Sequence, residues 1–245
     1  MKPANIQVYP NPQLLAEAAV KHFIEQAHLN ISVNDRFNVA LSGGSTPKAM
    51  HQLLADKYSD LVDWSKVNFY WGDERSVPPE HPDSNYGMAK ETLLDHIDIE
   101  PRQVHRIEAA LPPEEAAYEY IRTLRDYIGS ETPNLDLIFL GMGDDGHTAS
   151  LFPHTTALQE TENWVVANQV EKLDTWRITL TAPFINQATQ ITFLVAGENK
   201  ALALKQILEG PHQPELYPSQ LIQPVSGQLL WLLDQAAASR LESPE

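Results

Sequence analysis

Strand-like apolar runs and helical periodicities alternate along nearly the whole of this 245-residue sequence. Apolar residues at helical spacing predict a first helix over residues 12–28, and a β-type run follows at residues 37–41. Alternation of this kind is typical of proteins in which helices cover a mostly parallel sheet. No repeat or linker divides the sequence, so we predict a layered α/β fold formed by residues 1–245 as a single domain.

The other predicted elements continue this alternation. We predict that the second helix is N-capped by Thr46, with Pro47 at its first helical position. Further helices are expected to begin near Ser84 and to span residues 112–128 and 198–208. The final strand is expected to close the sheet. The remaining strands are predicted at residues 67–71, 104–107, 135–140, 164–167, 177–181, 190–196 and 229–233.

The most informative segment is residues 135–153, where a strand leads into a glycine-rich turn that carries two aspartates and a histidine. Glycines let the backbone turn sharply, and ligands of open α/β sheets bind at the carboxyl ends of strands. His147, with Asp145 two residues before it, is therefore expected where a substrate arrives. The glycines also match the G-x-G-x-x-G pattern of dinucleotide-binding proteins. Asp144 and Asp145 would repel a pyrophosphate, however, so we reject a nucleotide site.

The pair of His147 and Asp145 suits general-base chemistry, because imidazole titrates near neutrality and a carboxylate can orient it. A divalent metal held by two aspartates and the histidine is an alternative, although no second histidine stands at ligand spacing. A purely structural histidine after a glycine turn is another. The sequence has no cysteine, which excludes a thiol nucleophile and thiolate metal ligands.

The loop after the strand at residues 37–41 could bind an anion. It places hydroxyls and flexible glycines before a helix N-terminus, where free amides attract a phosphate. Its spacing is not that of a nucleotide P-loop, so a sugar phosphate is favoured over a triphosphate. A tight turn capped by Ser45 or Thr46 explains the segment equally well. The candidate binding residues are Ser42, Gly43, Gly44, Ser45 and Thr46.

The next predicted strand also ends in polar residues. Arg75 could donate two hydrogen bonds to phosphate oxygens, and Asp73 could accept one from a sugar hydroxyl. The alternative is a solvated loop with a local Glu74–Arg75 ion pair. Arg177, at the start of a predicted strand, is a further candidate. Lys200 lies in the first turn of a predicted helix, where a cation opposes the helix dipole unless an anion binds nearby.

The net charge of −16 excludes several classes of partner. With 17 Lys and Arg against 33 acidic residues, the chain has no basic face for nucleic acid or anionic membranes. A small phosphorylated ligand remains compatible where a few cations converge. No apolar stretch could span a bilayer and the polar N-terminus lacks the signal-peptide pattern, so we expect a cytoplasmic protein.

Five segments together resemble the 6-phosphogluconolactonase family. The resemblance runs in order over residues 12–233, and the GDER and glycine-histidine segments are its most specific parts. The segments are ALSGGSTP (40–47), WGDERSVPPEHPDSNYGMA (71–89), LDLIFLGMGDDGHTASLFP (135–153), RITLT (177–181) and GENKALAL (197–204).

The resemblance implies a three-layer Rossmann-like α/β fold, with a mostly parallel sheet and helices on both faces. It implies hydrolysis of 6-phospho-D-glucono-1,5-lactone to 6-phosphogluconate in the oxidative pentose phosphate pathway, without a cofactor or a required metal. By position, His147 corresponds to the family's base, with Asp145 beside it. The phosphate-binding cations correspond to Arg75, Arg177 and Lys200. We expect a monomer that binds a sugar phosphate.

In this mechanism neutral His147 removes a proton from water as it attacks the lactone carbonyl. Backbone amides near residues 43, 44 or 146 are expected to bind the resulting oxyanion. Two alternatives are weighed. The related glucosamine-6-phosphate isomerases and deaminases carry a glutamate five residues beyond the histidine, where this chain has Phe152. A non-catalytic sugar-phosphate sensor would need a basic DNA-binding module, which this sequence does not contain.

Overall fold

The computed structural model describes residues 5–128 and 134–242. The helices in this part of the chain are α1 (Pro12–Asn34), α2 (Ser45–Tyr58), α3 (Asn85–Thr92), α4 (Pro113–Ile128), α5 (Ala182–Ile185) and α6 (Ala201–Glu209). The strands are β1 (Asn5–Tyr9), β2 (Phe37–Leu41), β3 (Val67–Trp71), β4 (Asp73–Arg75), β5 (Leu137–Leu140), β6 (Val165–Val170), β7 (Thr175–Leu180), β8 (Gln190–Val195) and β9 (Gln228–Asp234). Among these residues, no helix is both long and apolar enough to cross a membrane.

Six strands form one parallel sheet in the order β1-β9-β8-β5-β2-β3. Its central strands β2, β5 and β8 are buried along their full length, because helices cover both faces. This confirms the predicted α/β fold with a mostly parallel sheet. The prediction of a single domain over residues 1–245 stays a prediction, since part of that range lies outside the described residues.

The two faces of the sheet pack against different helices. On one face Phe23 of α1 packs against Phe37 and Phe139, with ring centroids 5.4 and 6.5 Å apart. On the other face Tyr70 of β3 stacks on His105 at 4.7 Å, and His105 packs against Tyr127 of α4 at 4.1 Å. Side chains alternate across a strand, so the sheet is the middle layer of three.

The sheet differs from the sequence prediction in three places. β1 was not predicted, because it is an edge strand whose side chains are largely exposed and so lack an apolar run. β1 pairs with β9, so residues 229–233 do not close the sheet. Residues 104–107 form only a single bridge, between Val104 and Phe69, because the backbone turns at Ala109 onto the Ile107 carbonyl.

The predicted strands at residues 164–167 and 177–181 belong to a second sheet. β6 and β7 form an antiparallel hairpin, and β4 pairs with β7 to complete the sheet in the order β4-β7-β6. Gly72 joins this sheet to the large one, because its amide donates to the Leu41 carbonyl and its carbonyl accepts from the Leu180 amide. The small sheet therefore stands at the carboxyl ends of β2 and β3.

The sheet topology places the candidate residues at one edge. From β2 the chain continues to β3 on one side and later returns to β5 on the other, so strand order reverses between β2 and β5. Ligands of open α/β folds bind in the crevice at such a reversal, beyond the carboxyl ends of the strands. The loops that follow β2 and β5 are the two segments that the sequence analysis singled out.

Candidate active site

The glycine-rich turn after β5 holds a histidine and an aspartate in contact. His147 Nδ1 lies 2.5 Å from Asp145 Oδ1, and the same oxygen accepts the His147 backbone amide at 3.2 Å. An ionised carboxylate only accepts hydrogen bonds, so neutral His147 carries its proton on Nδ1 and presents Nε2 as an acceptor. In the part of the chain that the structure describes, Nε2 has no hydrogen-bond partner, and about 27% of the side chain is exposed.

Two neighbours fix the plane of the imidazole. Phe152 stacks on the His147 ring, with centroids 4.0 Å apart and an interplanar angle of 26°. On the Asp145 side Gly143 leaves room for the ring, because a Cβ at this position would lie 2.1 Å from His147 Nδ1. The close packing of the His147 ring against position 143 therefore requires a glycine there.

The turn is tied to the rest of the molecule through its carbonyls. The Gly141 carbonyl accepts the Thr148 hydroxyl at 2.8 Å. The Gly146 carbonyl accepts both the amide and the hydroxyl of Ser219, at 3.0 and 2.8 Å. Such bonds hold the histidine in place relative to the sheet.

Lys172, a residue that the sequence analysis did not select, completes the cluster. Its ammonium pairs with Asp145 Oδ2, while Oδ1 faces His147. Burial alone would raise the pKa of Asp145, but hydrogen bonds from His147 and Lys172 outweigh it and hold the pKa well below its usual range. Lys172 lies in the turn between β6 and β7, so no local sequence pattern connects it with Asp145.

The loop after β2 presents an open helix N-terminus. The N-cap of α2 is Gly44, with φ of 103°, and no side chain caps the first turn. The predicted N-cap at Thr46 is therefore wrong, because helical geometry begins already at Ser45. The Ser42 side chain is buried beside Gly43, whereas Ser45 is exposed. The first-turn amides of α2 are thus available to a ligand.

Asp73 and Glu74 are buried and hydrogen-bonded. Asp73 Oδ2 accepts the Ser150 hydroxyl at 2.6 Å, and Oδ1 accepts the Asn85 side-chain amide at 3.3 Å. Asn85 lies against the loop after β2, since a Cβ on Gly43 would lie 1.9 Å from Asn85 Oδ1. The Asp73 carboxylate therefore links the glycine turn after β5 to the loop after β2.

Glu74 holds the start of α3. Its carboxylate accepts the backbone amides of Arg75, Asn85 and Tyr86 and the Ser84 hydroxyl, at 2.7–3.0 Å. Burial raises the pKa of Glu74, although the backbone hydrogen bonds act in the opposite direction. The alternative of a solvated Glu74–Arg75 pair is wrong, because Glu74 is buried and bonds to the backbone.

Arg75 and Arg177 stand opposite each other on β4 and β7. The Arg75 guanidinium donates to the Asp83 carbonyl at 2.5 Å, and that of Arg177 donates to Thr175 Oγ1 at 3.0 Å. Burial lowers the pKa of Arg177, and the neighbouring Arg75 charge lowers it further. Two like charges directly opposite are unfavourable, and an anion between them would relieve the repulsion.

Lys200 lies at the start of α6, beyond the carboxyl end of β8. Because β8 neighbours β5 in the sheet, Lys200 approaches the edge from the opposite side to the arginines. Within residues 5–128 and 134–242, its ammonium makes no hydrogen bond or ion pair, so neither kind of interaction joins it to the other candidate residues. Across the same residues, no group of three or more histidines and acids could hold a metal ion.

The chain is similar to known proteins over nearly its whole length. The family described as glucosamine-6-phosphate isomerases/6-phosphogluconolactonase matches residues 10–231. A 6-phosphogluconolactonase from Nostoc is 41% identical over 96% of this chain and 98% of its own length. One from Haemophilus influenzae is 39% identical over 95% of this chain and 98% of its own. The solved 6-phosphogluconolactonase of Trypanosoma brucei superimposes with a TM-score of 0.87 and 28% identity, covering 98% of this chain and 99% of its own.

Proposed function

The chain belongs to the family of glucosamine-6-phosphate isomerases and 6-phosphogluconolactonases, and we propose that it hydrolyses 6-phospho-D-glucono-1,5-lactone to 6-phospho-D-gluconate. The full-length similarity to lactonases makes it an enzyme of the hydrolase class. Its place in the oxidative pentose phosphate pathway follows from this substrate.

The observation that carries the proposal is the Nε2 of His147, which has no hydrogen-bond partner within the described part of the chain. Asp145 holds the opposite ring nitrogen, Phe152 fixes the plane, and the ring is partly exposed at the carboxyl edge of the sheet. An imidazole held in this way can take a proton from a water molecule without any movement of its own. General-base assistance of this kind contributes about 10²- to 10⁴-fold in rate.

The reaction proceeds through a tetrahedral intermediate. His147 Nε2 removes a proton as water adds to the carbonyl carbon, and the carbonyl oxygen becomes an oxyanion. The protonated imidazole then returns the proton to the ring oxygen as the C–O bond breaks, so the ring opens to a carboxylic acid that ionises. Asp145 stabilises the imidazolium between these two steps.

The oxyanion needs hydrogen-bond donors close to the histidine. Of the three amides predicted from the sequence, that of Gly146 already donates to the Gly143 carbonyl at 3.2 Å. The amides of Gly43 and Gly44 have no acceptor among the described residues. We assign the oxyanion to these two amides, at the reversal point between β2 and β5.

The phosphate is proposed to bind across the two sheets. The open first turn of α2, with Ser45 and Thr46, supplies amides and hydroxyls. Arg75 and Arg177 supply two guanidinium groups whose mutual repulsion a phosphate would relieve. Lys200 adds a third cation, and Ser42 and Asp73 line the floor of the loop. A bound phosphate holds the distant carbonyl against the water, so its binding energy supports turnover.

Phe152 disfavours the deaminase alternative. The side chain at this position packs flat on the base, and an aromatic ring cannot exchange protons during ring opening of an amino sugar.

The test is hydrolysis of freshly prepared lactone by the purified protein, followed against the spontaneous rate, with glucosamine 6-phosphate as the competing substrate. We expect acceleration of lactone hydrolysis only. His147→Ala is expected to lose about 10²-fold or more of kcat while it still binds 6-phosphogluconate. An unchanged rate in this variant would exclude His147 as the base, and loss of activity on treatment with a chelator would favour the metal alternative.

A further inference from the structure

Lys172 connects two loops that are distant in sequence. It lies in the 3-10 turn Glu171–Leu173 between β6 and β7, and the backbone reverses at Asp174, with φ of 46°. Its ammonium reaches Asp145 Oδ2 in the turn after β5. Asp145 thus has one oxygen on the imidazole and the other on a cation.

Lys172 also contacts the second group that holds the base. Its Nζ lies 5.2 Å from the centroid of the Phe152 ring, on which His147 stacks. A cation over an aromatic face is attracted to it. One side chain therefore contacts both Asp145 and Phe152, the two side chains that hold His147.

Without a second partner, the Asp145 carboxylate would be poorly oriented. Rotation about the terminal bond of an aspartate meets only a broad, shallow barrier, and Asp145 is partly exposed. Lys172 anchors Oδ2, which directs Oδ1 at Nδ1. It also neutralises a carboxylate that would otherwise favour the protonated imidazole in a chain of net charge −16. Two further titratable residues lie at this turn: Asp144, which is exposed, and Tyr217, which lies against Gly146.

We propose that Lys172 is a positioning residue for the reaction, whose ammonium orients the Asp145 carboxylate toward His147 and neutralises its charge. This inference depends on the proposed function for its kinetic consequences, but not for its structural ones. Lys172 does not touch the reacting atoms in this arrangement.

The kinetic test compares Lys172→Met, which removes the charge, with Lys172→Arg, which keeps it. We expect Lys172→Met to lower kcat about fivefold, since a half-exposed ion pair has a modest effect. KM and the dissociation constant of 6-phosphogluconate should stay unchanged, and the acid limb of the kcat/KM profile should move to higher pH. Lys172→Arg should restore most of kcat. Lys66→Met is the matched control. It removes a surface ion pair between Lys66, which directly precedes β3, and Asp35, which directly follows α1.

A second measurement does not require activity. The carboxyl carbon of Asp145 is followed by NMR as a function of pH in the wild type and in Lys172→Met. We expect the pKa of Asp145 to rise in the variant, because one of the two hydrogen bonds that lower it is lost. A wild type without lactonase activity would contradict the proposed function but leave this titration as a test of Lys172.

Two results would overturn the inference. The first is an Asp145 titration and an acid limb that are both unchanged in Lys172→Met. The second is weaker binding of 6-phosphogluconate by Lys172→Met while the Asp145 titration and the acid limb of kcat/KM stay unchanged. This result would make Lys172 a ligand-binding residue.

Discussion

The candidate base depends on a residue that has no side chain. Gly143 and His147 are joined by a backbone hydrogen bond of 2.8 Å, which brings the Gly143 Cα under the imidazole. A methyl group at this position would overlap Nδ1 and also lie 2.7 Å from Asp145 Oδ1. The hydrogen bond that orients the base therefore requires glycine here.

We predict that Gly143→Ala lowers kcat for the lactone by about 10²-fold, because a displacement of about 1 Å in a catalytic group has an effect of this size. Steady-state kinetics and binding of 6-phosphogluconate would test it, with binding expected to persist. Gly141→Ala is the matched control from the same turn, since its added Cβ would meet only Ser42 Oγ at 3.8 Å and the Gly43 carbonyl at 4.0 Å. Wild-type kcat in Gly143→Ala would show that the ring does not depend on this packing.

The pairing of β4 with β7 sets two arginines side by side. Antiparallel register places Arg75 directly opposite Arg177, and burial of Arg177 strengthens their repulsion. Like charges opposite each other in a sheet cost roughly 0.2–1 kcal/mol. We therefore expect an anion bound between the two guanidinium groups to stabilise this sheet.

We predict that Arg177→Gln raises the Tm of the free protein slightly and abolishes the increase in Tm that 6-phosphogluconate causes in the wild type. Thermal unfolding with and without the ligand measures both effects. Arg102→Gln is the control, because Arg102 is an exposed residue whose partner is Glu100. A lower Tm in ligand-free Arg177→Gln, with a normal response to ligand, would assign Arg177 a structural role only.

For the molecule as a whole, three histidines at buried or half-buried positions contribute to how stability depends on pH. Burial lowers the pKa of His22, His51 and His105 from 6.5 to about 4. The unfolded chain therefore binds protons below pH 6.5 that the folded chain does not bind until about pH 4. The stability that this difference in pKa contributes is fully present above pH 6.5 and is lost as the pH falls toward 4.

We predict that His51→Leu loses less stability than the wild type between pH 7 and pH 4. His51 is 1% exposed on α2, and among the described residues its Nδ1 has no partner. At ~1.4 kcal/mol per pKa unit, its titration accounts for about 3 kcal/mol of the change. Urea unfolding at several pH values measures it, with exposed His212→Leu as the control. Equal pH dependence in wild type and His51→Leu would contradict this assignment.

Much of the fold could be predicted because its signals are local. The run at residues 37–41 and the run at 135–140 each carry an apolar strand and a glycine turn within one short segment, and both lie in the sheet as expected. The contact of His147 with Asp145 is equally local, since only one residue separates them. β1 is exposed and has no apolar run, so its sequence did not predict a strand. The apolar residues Val104 and Ile107 were misleading, because this segment meets β3 through a single bridge at Val104 and forms no strand.

The sequence by itself determined the alternation of strands and helices, the glycine turn with its histidine and the absence of thiol chemistry. Only the tertiary structure decided that β4, β6 and β7 form a separate antiparallel sheet, that Arg75 faces Arg177 and that Lys172 holds Asp145. The physical reason is the range of the interactions. Backbone conformation and periodicity act between residues a few positions apart, whereas these pairings join residues separated by up to about a hundred positions and exist only after the chain has packed.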